Sequence, residues 1–171
     1  MIISEKDKDD TTRVGEIIKK INNISDDYAR SESDVIFHQQ PFLISLVLGH
    51  QNDLSAGEIE ELTKLLFIIW EYFKHNGNIR RVKVTELQFE KIQLRNMYLL
   101  KYLEGEPGQN EKTEVITSDL EHLNSKALLT GIFLRFNTQE ALIKMKAETK
   151  GILLIGMKSL VECFEEIEKS N

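Results

Sequence analysis

Apolar positions recur along this chain at helical spacing, and strand-like alternation is nearly absent. Val14, Ile17, Ile18, Ile21 and Ile24 fall on one face of a helix predicted over about residues 12–24. Ser25 to Asp34 is polar and acidic, with turn character. A second helix is predicted from about Asp34 through Gly49, with a break at Pro41, which lacks the N–H that a helix interior needs. Next comes an apolar run, Leu65 to Trp70, followed by Tyr72 and Phe73. Ser55 and Glu58 ahead of it form a capping-box pattern. Ile59, Leu62, Leu65, Leu66, Ile69 and Phe73 make one stripe, and Phe67, Ile68, Trp70 and Tyr72 widen it nearly all round. A helix apolar on every side is buried among neighbours or at a subunit interface, so Trp70 is expected to be buried. Asn76-Gly77-Asn78 reads as the end of this third helix, because glycine takes the left-handed conformation that closes a helix.

Thr85 and Gln88 start a fourth helix that runs to about Glu104, with Leu87, Leu94, Tyr98 and Ile92, Leu99, Leu103 expected on its buried sides. Residues 105–113 (GEPGQNEKT) read as a loop. Ser118 and Glu121 are expected to begin a fifth helix carrying Leu120, Leu123, Leu128, Ile132 and Phe136. Asn137 and Glu140 are expected to cap a sixth that runs toward Lys169. In it Leu153, Met157, Leu160, Phe164 and Ile167 have the spacing of a helix–helix seam, with Gly151 and Gly156 beside it for close approach or a kink. Val82-Lys83-Val84 alternates but is too short to count as a strand. No repeat is visible. The expected fold is all-α: a single-domain bundle of five or six helices over residues 1–171, with residues 1–11 loosely ordered.

Bulk composition narrows the classes. The 171 residues are 41% apolar and 29% charged, ordinary for a globular domain. One cysteine, Cys163, excludes an internal disulfide framework and Cys-rich zinc sites. Its neighbours Glu162, Glu165 and Glu166 oppose a reactive thiolate, leaving a small half-buried helix residue as the expectation. The opening MIISEKDKDD is acidic and lacks the apolar stretch of a secretory signal. No apolar run approaches the roughly 20 residues of a spanning helix. A cytoplasmic protein without membrane association is expected. The net charge of −6 disfavours nucleic-acid binding, which rests on phosphate neutralisation.

Candidate chemistry is sparse. A carboxylate-bridged metal site in a bundle needs Glu and His at i, i+3 or i+4 on facing helices. Glu71 with His75, and Asp119 with His122, have that spacing, and Glu86 with Glu90 form a same-face acidic pair. Yet Asp119 is expected in a first turn and His75 in a last turn, where the helix dipole accounts for them without a metal. No zinc-protease, Cys-x-x-Cys, Walker or nucleophile-elbow pattern occurs, so neither metal nor cofactor is expected. From Lys74 to Lys101 seven bases face two acids. Arg80, Arg81, Lys83, Lys91 and Arg95 are thus candidates for a patch that docks an anionic partner, against the plainer reading of a solvated face. PFLISLVLGHQ, from Pro41, reads as core, with a groove lining as the alternative.

These patterns name no reaction. The leading expectation is a protein–protein interaction module that self-associates as a homodimer through Leu153, Met157, Leu160 and Phe164. Two rivals remain: a helical metal-binding protein or enzyme using Glu71, His75, Asp119 and His122, and an acidic inhibitor of the immunity-protein type.

Overall fold

A computed structural model describes residues 5–170, with side chains from Lys8 onward. Ten helices and no strand are present among the described residues. They are α1 (Glu5–Asn22), α2 (Asp26–Gln39), α3 (Pro41–His50), α4 (Ala56–Phe73), α5 (Gly77–Arg81), α6 (Glu86–Gly105), α7 (Gln109–Glu121), α8 (Lys126–Thr138), α9 (Glu140–Lys144) and α10 (Ala147–Lys169). The all-α class holds, while the helix number exceeds five or six. The excess arises where single long helices were expected and the chain instead breaks and restarts.

Local signals explain some of these breaks. Pro41 sits in the first turn of α3, so α2 ends at Gln39 and the chain restarts at once. Ser55 caps α4 with both halves of the capping box, its hydroxyl accepting from Glu58 N and the Glu58 carboxylate accepting from Ser55 N at 2.7 Å. Thr85 accepts from Gln88 N at 3.2 Å and opens α6 as expected.

Five expectations are corrected. Asn76-Gly77-Asn78 starts α5 rather than closing α4: the Asn76 side chain accepts from Asn78 N at 2.8 Å, and no described glycine has a positive φ. Residues 105–113 are not one loop. Glu106 Oε1 accepts from Gly108 N at 3.0 Å, and helix resumes at Gln109. Ser118 and Glu121 consequently lie inside α7, and the start of α8 is set from far away: Glu165 of α10 accepts from Ser125 N at 2.7 Å. Asn137 lies within α8, where its side chain donates to Phe133 O, and the chain breaks again at Met145 before α10 begins. Residues 5–11 belong to α1, which begins well before position 12; residues 1–4 lie outside the described residues.

α4 and α10 form the centre. Leu62, Leu65, Ile69, Trp70 and Phe73 on α4 are buried, as are Leu153, Met157, Leu160 and Phe164 on α10. The Phe73 and Phe164 rings stack at 5.1 Å. Trp70 is 1% exposed, as expected, and its indole N–H donates to Glu32 Oε1 at 2.6 Å. α1 lies across α4 and α8. Its approach to α8 is close at Gly131, where a Cβ would stand 2.9 Å from Val14 Cγ1 and 3.0 Å from Ile18 Cδ1. An ion pair locks the same junction: buried Arg135 of α8 donates to Glu61 of α4 at 2.9 Å and to Asn22 Oδ1 of α1 at 2.7 Å.

Within PFLISLVLGHQ, Leu43 is fully buried, Phe42, Leu46 and Val47 are half-buried, and Leu48 is exposed. Cys163 is fully buried rather than half-buried. Burial and the Glu166 and Glu162 carboxylates push its thiol up to about 12. No helix among the described residues is long and apolar enough to cross a membrane.

Candidate protein interface

The four interface residues expected on α10 are interior. Leu153 and Met157 are 2% exposed, and Leu160 and Phe164 are fully covered. The seam spacing was read correctly, but its partners are helices of the same chain, so it offers no face to a second copy. Gly156, beside it, lets Phe89 of α6 lie against α10: a Cβ there would meet the ring at 3.9 Å.

The candidate metal ligands do not gather. Glu71 is buried on α4, where its carboxylate accepts from Lys74 Nζ at 2.6 Å, from Lys20 Nζ at 2.9 Å and from the Tyr28 hydroxyl. Burial opposes that carboxylate, but the three hydrogen bonds outweigh it and hold its pKa below the usual range. His75 is exposed just beyond α4. Asp119 stands in the last turns of α7 rather than a first turn, so the dipole does not account for it; Lys158 of α10 does, at 3.1 Å. His122 caps the same helix end and lines, with Asp119, Glu162 and Glu165, a cavity of about 290 Å³. The carboxylates there are engaged. Glu162 holds Lys158 at 2.6 Å and Arg95 at 3.0 Å, while Glu165 holds Ser125 N and Lys169. Among the described residues, no three metal-ligating side chains converge.

The surface feature that stands out is α6. Two connections fix its start. Gln40, fully buried at the α2–α3 junction, donates from Nε2 to Ile79 O at 2.6 Å and to Val82 O at 2.7 Å, and accepts from Val84 N at 2.9 Å. This one amide satisfies three backbone groups of the α5–α6 connection, and Thr85 then caps the helix. The inner face of α6 is Phe89, Ile92 and Asn96, with half-buried Leu99 and Leu103 continuing it. Asn96 donates to Ser159 Oγ at 3.0 Å and to Glu162 Oε2 at 2.6 Å, and accepts from Lys158 Nζ at 2.7 Å. Buried polar groups of this kind fix register, because any slip leaves them unpaired.

The outer face corrects the sequence reading. Leu87 is 77% exposed, Leu94 51% and Tyr98 62%, although all three were expected to be buried. With Met97, Leu100 and Tyr102, α6 carries six of the fourteen exposed large apolar side chains among the described residues, which marks it as the helix with an uncovered face. A groove of about 730 Å³ runs along this face, lined by Leu87, Lys91, Leu94, Arg95 and Tyr98, with Glu166 of α10 at its edge.

The candidate basic patch is divided by this geometry. Arg80 Nε donates to Lys74 O at 2.8 Å, which covers the end of α4. Arg81 and Lys83 are exposed in the connection ahead of α6. Lys91 and Arg95 line the groove: Lys91 makes no ion pair among the described residues, and Arg95 reaches Glu162 while staying 59% exposed. Lys91 and Arg95 were candidates from the sequence, whereas Leu87, Leu94 and Tyr98, which line the same groove, were expected on the buried side. No family model, curated protein or solved structure matches this chain.

Proposed function

We propose that this chain is a protein–protein interaction module that docks through the outer face of α6. The observation that carries this reading is the concentration of exposed Leu87, Leu94 and Tyr98 along one ridge of a helix whose opposite face is anchored in the core. Contiguous apolar surface of this kind costs solubility and marks interaction sites. The anchoring matters too, since a ridge held by Gln40 and Asn96 is presented without an ordering cost on binding.

The test is crosslinking in an extract of the source cells with an amine-reactive reagent. Lys91 and Lys101 of the wild-type chain are expected to form crosslinks to protein, and Leu94→Glu is expected to remove them. Absence of crosslinks at both lysines, or their persistence in the variant, overturns the reading.

A further inference from the structure

Building on the α6 docking face, we infer that its occupant is an acidic amphipathic helix of a different protein. The ridge suits a helix: Leu87, Leu94 and Tyr98 are spaced by two turns and then one, and a partner helix lays its own apolar positions along such a ridge. The charge decides which helix. Between Arg80 and Lys101 the sequence has six bases and two acids, in a chain whose net charge is −6. Two of these bases, Lys91 and Arg95, line the groove beside the apolar ridge, with Glu166 at its edge, while the rest of the chain is acidic. Lys91 lies in the groove with no ion pair among the described residues, and Arg95 beside it, paired with Glu162, keeps more than half its surface free.

A second copy fits this arrangement poorly. A closed dimer is twofold, so the same patch faces itself. Two α6 ridges packed together would set Lys91 and Arg95 near their own equivalents, and like charges juxtaposed in an interface are unfavourable. A helix with glutamates or aspartates flanking its leucines pairs both bases. The acidic balance of the rest of the chain disfavours the same helix there, which steers it toward Lys91 and Arg95.

The test uses two synthetic helices of about 20 residues, long enough to hold helical structure. Both carry leucine at i, i+3, i+4 and i+7. One has glutamate at the flanking positions and the other lysine. Binding to the full chain is read by fluorescence anisotropy, with circular dichroism melting to confirm that each variant is folded. The glutamate helix is expected to bind and to weaken about tenfold or more between about 50 and 300 mM salt, as screening shortens. Lys91→Glu is expected to weaken it by a similar factor, and Leu94→Glu to abolish it. Equal binding of the lysine helix, indifference to Lys91→Glu, or no binding at millimolar peptide overturns the inference. A dimer seen by light scattering and dissolved by Leu94→Glu also overturns it, in favour of a second copy. If crosslinks at Lys91 survive while the glutamate helix fails, the docking face stands and the occupant is wrong. If both fail, the face itself is wrong.

Discussion

Replacing Gln40 with methionine tests how the α5–α6 connection is held. Methionine keeps nearly the same length and volume, so no cavity opens, but it has no amide. Ile79 O and Val84 N lose their partner in a buried site, and Val82 O loses its partner nearer solvent. A buried polar group left unsatisfied costs about 1–3 kcal/mol, and a hydrogen bond that water can replace costs about 0.5–1.5 kcal/mol. The expected loss is therefore roughly 2.5–7.5 kcal/mol, a large share of a total of about 5–15 kcal/mol. At roughly 2–4 °C per kcal/mol for a chain of this size, melting falls by about 5–30 °C. Urea denaturation gives the free energy, and amide exchange at Val84 gives the location. A Gln40→Met variant within about 1 kcal/mol of wild type, or one whose Val84 amide exchanges no faster, refutes this account. Gln40→Glu is expected to be worse, because its carboxylate meets the two carbonyls that the amide NH₂ served.

Trp70→Ala is expected to cost about 3–5 kcal/mol, and native emission should be that of buried indole, shifted to the blue of the urea-unfolded chain. Hydrogen bonds to Glu71 depress its pKa in the folded state, so its stabilisation is complete above the ordinary value of 4.5 and is lost as pH falls through the lower folded value. Glu71→Gln should flatten that acid limb in a stability-against-pH series, and an unchanged slope contradicts the assignment. Cys163, fully covered and with its thiol raised to about 12, should resist thiol reagents at pH 8 until the chain unfolds; labelling faster than unfolding would place it nearer the surface. Gly156→Ala, whose new Cβ meets only the Phe89 ring at 3.9 Å, should stabilise by about 0.5–1 kcal/mol through helix propensity. Gly131→Ala should lose that gain to its contact with Val14, which the two melting temperatures compare directly.

What was legible in the sequence was local. Ser55 and Thr85 cap because each side chain bonds to an amide three residues on, and nothing distant competes. Ser118 and Asn137 have the same pattern, yet a continuing upstream helix absorbs both. The break that does occur, before Ser125, is set by Glu165, forty residues later. The faces of α6 were misjudged for a related reason. Both ridges are apolar in sequence, and the one that looks less so is buried, because Asn96 finds Ser159, Glu162 and Lys158 on α10. Polar residues that match across helices are invisible to a periodicity count. So were Gln40 and Arg135, whose roles depend on groups 39 or more residues away.

The seating of α1 has a consequence for synthesis. Asn22 and Arg135, which join α1 to α8, are 113 residues apart. At about 5–20 residues per second, roughly 6–23 seconds separate the emergence of these two helices from a ribosome. α4 arrives first and gives α1 a partial shelter, but Val14 and Ile18, which meet Gly131, wait for α8. Nascent chains arrested before residue 126 should therefore hold a helix whose apolar stripe is half uncovered, a natural substrate for chaperones that bind exposed apolar segments. The native arrangement is completed by long-range closure, so this helical protein should fold more slowly than helix content alone suggests.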